Sequence, residues 1–454
     1  MTDNNGAGGT LQLKRVLTLK YLVAFGLAYL APTVVFNYYG IITELTGGMM
    51  ALAYIITTVA LFFTAYSYTK MVQAFPIAGS AYTYVQRAVN PFLGFFTGWI
   101  MLLDYLLLPM VCYLLFGIYM HEFLPVVPIP VWIIGAAVLG ALINIVGVKT
   151  AGRVNTVIIA AQLLFSLAFV VIIIRYVSMG GGAASLIVPE AIFNAETFEP
   201  SGLMWGASIL AVSFLGFDAV STLAEETKDP ERTISKAILL IAVGAGVLFA
   251  IIAYFSQIAW PEAYYQIEDV DVGIFELLYT LGGDTLSTIF LITDNLATFI
   301  CAMAGLAAVS RILFGMGRDG ILPRKFFGKL SPKFQTPVNN IVLTSVLALS
   351  ALFYSDNLLG AASLVSFGAL TGFALVNYAV INHYFIRGKR RQGSDVFQYL
   401  VMPAIGVIIC VVLWVSIESV AKILGGAWIL VGIVYVLIYA KVLKKDLRTF
   451  KLEE

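Results

Sequence analysis

Asp104, Asp218 and Asp294 each stand inside a long apolar run: Leu102-Leu103-Asp104-Tyr105-Leu106, Ser213-Phe214-Leu215-Gly216-Phe217-Asp218 and Thr293-Asp294-Asn295. A charged side chain at the centre of a bilayer costs at least about 2.5 kcal/mol, so such a residue usually faces the interior of a helix bundle. No Lys or Arg lies at comparable depth to pair with them. They are therefore either protonated, each hydrogen-bonded to a neighbouring helix, or met by a cation arriving from outside. Aromatic residues accompany them: Tyr29, Phe36, Tyr38 and Tyr39, then Tyr105, then Phe214 and Phe217. An aromatic wall with one carboxylate suits an alkylammonium, adding cation–π attraction to a charge-assisted hydrogen bond.

The elements that position these groups are membrane helices. Hydrophobic residues make up 60% of the chain and charged residues 12%, against about 45–50% and about 25% in soluble domains. Runs of roughly 20 apolar residues, the length that crosses the hydrocarbon core, predict twelve spans. They fall at 20–43, 50–75, 92–120, 130–147, 154–176, 202–224, 234–257, 285–313, 339–354, 360–386, 399–417 and 423–443. With the N-terminus inside, every Lys and Arg except Arg175 and Lys422 falls on the cytoplasmic side. The positive-inside rule thus predicts an all-α polytopic inner-membrane protein with both termini cytoplasmic. The opposite loops hold Glu122, Glu190, Glu196, Glu199, Glu262, Glu268, Asp269, Asp271 and Asp284, a rim able to enrich cationic solutes or simply a solvated surface.

Two spans are interrupted near their middles. In the first, Pro32 within Leu30-Ala31-Pro32-Thr33-Val34 removes a backbone donor; in the sixth, Gly216 and the charged Asp218 sit near mid-membrane. Backbone freed at that depth is tolerated only where it is buried in protein or lines a cavity. Paired broken helices build the substrate site of secondary transporters. An ordinary proline kink is the alternative for either helix alone.

Other chemistries find no support. Cys112, Cys301 and Cys410 lack metal or redox spacing, and His121 and His383 fall near span ends. No phosphate loop or metal-ligand cluster appears, so the reading is of a non-enzyme without metal or cofactor. A net charge of +1 gives no bias toward nucleic acid. The first nineteen residues are polar, lack a signal-peptide core and read as a short mobile tail. Mixed charges from Glu225 to Arg232, and from Arg311 to Pro337, mark cytoplasmic turns that would serve as a gate or as static loops.

Over nearly its whole length the chain resembles the amino acid/polyamine/organocation transporter family. The resemblance rests on Phe75-Pro76-Ile77-Ala78-Gly79-Ser80-Ala81-Tyr82-Thr83-Tyr84, on Gly216-Phe217-Asp218 through Glu225-Glu226-Thr227, and on Arg318-Asp319-Gly320 with Thr336-Pro337. Within the family it is most similar to the bacterial putrescine importers, through Gly26-Leu27-Ala28-Tyr29, the Asp104 and Asp218 segments, and Phe367-Gly368-Ala369-Leu370. The resemblance implies a LeuT-like fold of two inverted five-helix repeats (20–176 and 202–386) in a core of 20–386. It is preceded by a tail (1–19) and followed by helices 11 and 12 with a C-terminal tail (387–454). Two departures stand out. Asn37 in Phe36-Asn37-Tyr38-Tyr39-Gly40 replaces the aspartate those importers carry, and Asp294 stands where they are uncharged. Several proton-coupled relatives have a lysine where this chain places Gln162.

Together these readings predict an importer of a small organic amine, putrescine-like, working by alternating access as monomer or homodimer and coupled to protons, the alternative being a proton- or sodium-coupled amino acid permease or an amine/amino acid exchanger. The expected substrate site comprises Ala31, Pro32, Thr33, Phe36, Asn37, Tyr39, Asp104, Tyr105, Phe214, Gly216, Phe217, Asp218 and Asp294. Phe214 and Tyr39 would close over the substrate, and Asp104, Asp218 and Asp294 are the expected proton carriers, with a sodium site as the other possibility.

Overall fold

The computed structural model describes residues 15–77, 80–146, 151–318, 322–355 and 357–442, with backbone alone for 151–155 and 438–442. The tail up to residue 14, Ala78 and Gly79, Lys149, Asp319 and Gly320, and the C-terminal tail from residue 443 lie outside the described residues; so does the side chain of Arg153.

Among the described residues, eleven helices are long and apolar enough to cross a membrane. They are Leu19–Asn37, Met50–Ala74, Pro91–Phe123, Ile129–Val146, Thr156–Ser178, Pro200–Glu226, Pro230–Ala259, Gly273–Arg318, Leu358–Arg387, Ser394–Ser416 and Ser419–Leu437. A shorter apolar helix, Val338–Tyr354, takes the ninth place in chain order, and its last turns tighten to 3-10 geometry over Leu349–Tyr354. The spans below are numbered one to twelve in that order. The chain is thus an all-α, multi-pass membrane protein.

Composition explains which spans lie inside. The fourth, fifth and twelfth expose stripes such as Val131, Ile134, Val138 and Leu142, then Leu164, Leu167 and Val171, then Leu430, Val434 and Leu437. Apolar faces of that extent are stable when the surrounding solvent is lipid. By contrast the third and sixth spans are almost wholly buried within the bundle. The third, 33 residues from Pro91, is about 50 Å long at 1.5 Å per residue, well beyond the roughly 30 Å of a hydrocarbon core. Asn90 caps its start by accepting the Leu93 amide at 2.7 Å, with Pro91 at the first turn, where no amide donor is needed.

Both predicted interruptions are present. Ala31 adopts φ 54°, and its amide closes the first half-helix on the Leu27 carbonyl. Helix then resumes over Val34–Asn37 and Tyr39–Leu45. The sixth span is α-helical over Pro200–Ile209 and 3-10 over Leu210–Phe214. It breaks at Leu215–Asp218 and continues as 3-10 turns over Ala219–Glu226. Gly216 sits there with φ +122°, and a Cβ on it would lie 3.0 Å from Tyr29 Cβ and 3.1 Å from the Gly26 carbonyl oxygen. The two breaks therefore pack directly on each other, and only glycine meets both the torsion and the space.

Three features add to the predicted spans. The motif after the second span forms a helix, Ser80–Ala88. The eighth span follows the turn at Gly283 (φ 60°, ψ −159°), close to its predicted start, and a separate short helix from Gly273 precedes it. Val16 and Leu17 belong to no free tail: their amides both donate to the Glu226 carbonyl at 2.9 Å, and the Lys228 amide donates to Leu17 at 3.1 Å. Edge backbone of the loop after the sixth span offers these groups partners, so the end of the tail docks there.

Candidate functional site

The expected residues gather into two clusters at different depths. The first surrounds the helix breaks. Tyr105 donates to one oxygen of Asp218 at 3.4 Å, and the Gly216 amide donates to the other at 3.4 Å. These are long bonds, and the backbone amides of Asp218 and Ala219 also face the carboxylate. Asp104 lies one residue before Tyr105 on the third span, within electrostatic reach of Asp218, and both acids face Tyr29 and Tyr105. Asp104 and Asp218 are each 3% exposed. Gly368 on the tenth span lets that helix close on the acid: a Cβ there would stand 3.2 Å from Asp104 Cβ and amide nitrogen. Among the described residues no Lys, Arg or His forms an ion pair with either buried acid.

The second cluster joins the first, fifth and eighth spans. Thr33, immediately after the break, donates its backbone amide to Gln162 Oε1 at 3.2 Å. Its hydroxyl stands 3.0 Å from the same oxygen and 2.6 Å from Asp294 Oδ1. Thr298 donates to Asp294 Oδ2 at 3.3 Å. Asn37 faces the same carboxyl group and accepts from Tyr119 at 3.4 Å. Tyr119 and Asp104 are fifteen residues apart on the third span, or about 22 Å along its axis. Between the clusters the Cys301 thiol donates to the freed Tyr29 carbonyl at 3.2 Å.

Above the second cluster a layer of rings closes the bundle. Phe36 packs edge-on against Phe165, Phe169 and Phe290, and Phe290 meets Phe275 and Tyr119. On the far side of this layer is a cavity of about 940 Å³. Glu122, Glu268, Asp269, Glu276 and Asp284 line it, with Phe275 and Leu291, and no Lys, Arg or His does. The acidic rim read from the sequence is thus in part a vestibule, and Glu276, on the short helix before Gly283, joins it without having been singled out.

The aromatic wall is distributed differently from expectation. Phe214 packs on Tyr54 and Phe249, and Phe217 on Tyr68 and Phe373. Both rings serve the packing of the sixth span on the second, seventh and tenth. Tyr39 is buried with its hydroxyl unpartnered. Ala31 and Pro32 form the break itself. Residues the sequence reading passed over are Thr298 and Tyr119, while Gly368 entered it only through the resemblance. Only Thr298 carried a signal, four residues after Asp294 and so on the same helix face.

A helical bundle in which two broken spans meet around buried carboxylates is the architecture of a secondary transporter. Residues 22–399 match the amino acid permease family, and the chain belongs to it. It is 37% identical over 426 residues to the low-affinity putrescine importer PlaP of Escherichia coli K12, covering 94% of this chain and 93% of that one. It is also 27% identical to the methylthioribose transporter of Bacillus subtilis 168, covering 94% of each. The branched-chain amino acid permease BcaP of the same organism is 26% identical, covering 95% of this chain and 94% of its own. The protein is a transporter rather than an enzyme, as the absence of catalytic motifs in the sequence implied.

Proposed function

We propose that the protein imports a small organic amine, of the putrescine class, across the inner membrane by alternating access, coupled to protons and with both termini cytoplasmic. The observation that carries this reading is the pair Asp104 and Asp218, buried together beside the helix breaks with no cationic partner. Two carboxylates in a low-dielectric interior repel each other, and a diammonium ion would neutralise both while aliphatic carbons fill the space between. Tyr29 and Tyr105 supply the adjoining aromatic faces. The similarity to a putrescine importer supports the same substrate class.

In this mechanism a cation is concentrated in the acidic vestibule and passes the ring layer of Phe275, Tyr119 and Phe290. It then settles at the breaks, where Asp218 and Asp104 receive its ammonium groups and the Leu215–Asp218 backbone completes the site. The first and sixth spans rock against the rest of the bundle about their broken segments. The core of 20–386 carries the cycle within one chain, whether monomer or homodimer, with repeats 20–176 and 202–386, while helices 11 and 12 flank it. Counterflow in proteoliposomes separates this from the amino acid reading. Labelled putrescine should exchange and compete with other diamines; saturable leucine or arginine exchange that putrescine leaves untouched would reject it.

A further inference from the structure

Thr33 has one hydroxyl proton and two acceptors to satisfy. Its backbone amide already donates to Gln162 Oε1 at 3.2 Å, which fixes the side-chain amide with its oxygen toward Thr33, since the reverse orientation would set two N–H groups against each other. The Thr33 hydroxyl is then 3.0 Å from an atom that can only accept. On its other side Asp294 Oδ1 is 2.6 Å away. An ionised carboxylate is also acceptor-only, so both contacts cannot be hydrogen bonds if Asp294 is charged. They can be if Asp294 Oδ1 carries a proton: Asp294 donates to Thr33, and Thr33 donates to Gln162. Oδ2, the bare oxygen, accepts from Thr298 at 3.3 Å.

Resting on the transport reading above, we propose that Asp294 is the proton-carrying residue of the cycle and that the Thr33–Gln162 pair reads its charge. The titratable groups that face it are Cys112 and Tyr119 of the third span. The first and fifth spans present the neutral Thr33, Asn37 and Gln162, and the eighth adds Thr298. No described Lys, Arg or His forms an ion pair with it. When the acid releases its proton to the medium on one side, both oxygens become acceptors. The Thr33 hydroxyl must then turn its proton from Gln162 to Asp294. The break in the first span is thereby loosened from the fifth span and drawn to the eighth, and it returns when one proton binds from the other side. Asp104 and Asp218, in the other cluster, stay available for the substrate, so proton and amine occupy separate sites.

The test uses the full-length chain in sodium-free proteoliposomes, with labelled putrescine as probe. Under an inward proton gradient wild type should accumulate putrescine. Asp294→Asn, whose amide reproduces the donating acid but cannot ionise, should drop to background accumulation while counterflow without a gradient falls far less, by about threefold or under. Thr33→Val removes the reading hydroxyl and keeps the acid; gradient-driven accumulation should again fall more than counterflow. With putrescine bound to neutralise the other two acids, the protonated-carboxyl stretching component of the wild-type infrared spectrum that belongs to Asp294 should be missing from the Asp294→Asn spectrum. The proposal is overturned if Asp294→Asn accumulates putrescine like wild type. It is equally overturned if that folded variant loses putrescine binding altogether, if Thr33→Val keeps wild-type accumulation, or if a sodium gradient alone drives wild type. Should wild type show no putrescine counterflow, the substrate reading fails, and the infrared difference between wild type and Asp294→Asn still decides the protonation of Asp294.

Discussion

At Asp104 and Asp218 the electrostatics admit few roles. Each is 3% exposed, and a buried carboxylate without a counter-ion is stable only when protonated or when it receives a cation in turn. Neutralising either acid should remove a charge-assisted contact to substrate, worth about 2–3 kcal/mol, or roughly 30- to 150-fold in apparent affinity. Asp104→Asn and Asp218→Asn should therefore raise the putrescine concentration for half-maximal counterflow by that factor; wild-type values in both would make the acids structural. The three carboxylates were legible in the sequence because charge in an apolar run is conspicuous. Their division into two clusters was not. Asp294 and Asp218 look alike in one dimension, and only the packing of the first span against the fifth and eighth shows that Thr33 and Gln162 belong to Asp294 while Tyr105 belongs to Asp218.

Broken helices are where local sequence and tertiary structure agree most closely. Pro32 cannot donate, and Gly216 with φ +122° accepts a torsion strained for other residues. The sequence therefore shows both breaks. It does not show that they touch, since the contact of Gly216 with Tyr29 and Gly26 depends on how the spans pack. Gly216→Ala combines about 1–3 kcal/mol of backbone strain with a Cβ only 3.0 Å from Tyr29. It should lower the melting temperature of the purified protein and abolish counterflow; an alanine variant with wild-type stability and transport would show that the junction is not tight. Aromatic residues were less informative. Phe214 and Phe217 sit beside the break in sequence, yet their rings turn to Tyr54, Phe249, Tyr68 and Phe373. Ring packing answers to neighbouring spans, about which adjacency in the chain says nothing.

Across the whole molecule, acidic side chains gather around one cavity beyond the ring layer. Hydrophobic run length and the Lys/Arg bias located eleven spans and the short ninth, because lipid requires every spanning backbone to be helical. They could not reveal the short helix ahead of Gly283 that brings Glu276 to the vestibule, for its signal is too weak beside the span it precedes. Five acids around about 940 Å³ should raise the local concentration of a cation, and salt should weaken the effect with a screening length of about 8–10 Å. Replacing Glu122, Glu268 and Asp269 together by glutamine should raise the KM for putrescine and flatten its dependence on ionic strength, with kcat little altered. A KM and salt dependence matching wild type would reduce the vestibule to ordinary surface.

The central claim is that Asp104 and Asp218 together hold an amine at the meeting of the two breaks. Equilibrium binding of labelled putrescine to the purified chain tests it most directly. We predict saturable binding that other diamines displace and leucine does not, weakened at least about 30-fold in a folded Asp104→Asn/Asp218→Asn double variant. Binding that survives the double substitution unchanged, or that leucine displaces as readily as a diamine, would contradict the account.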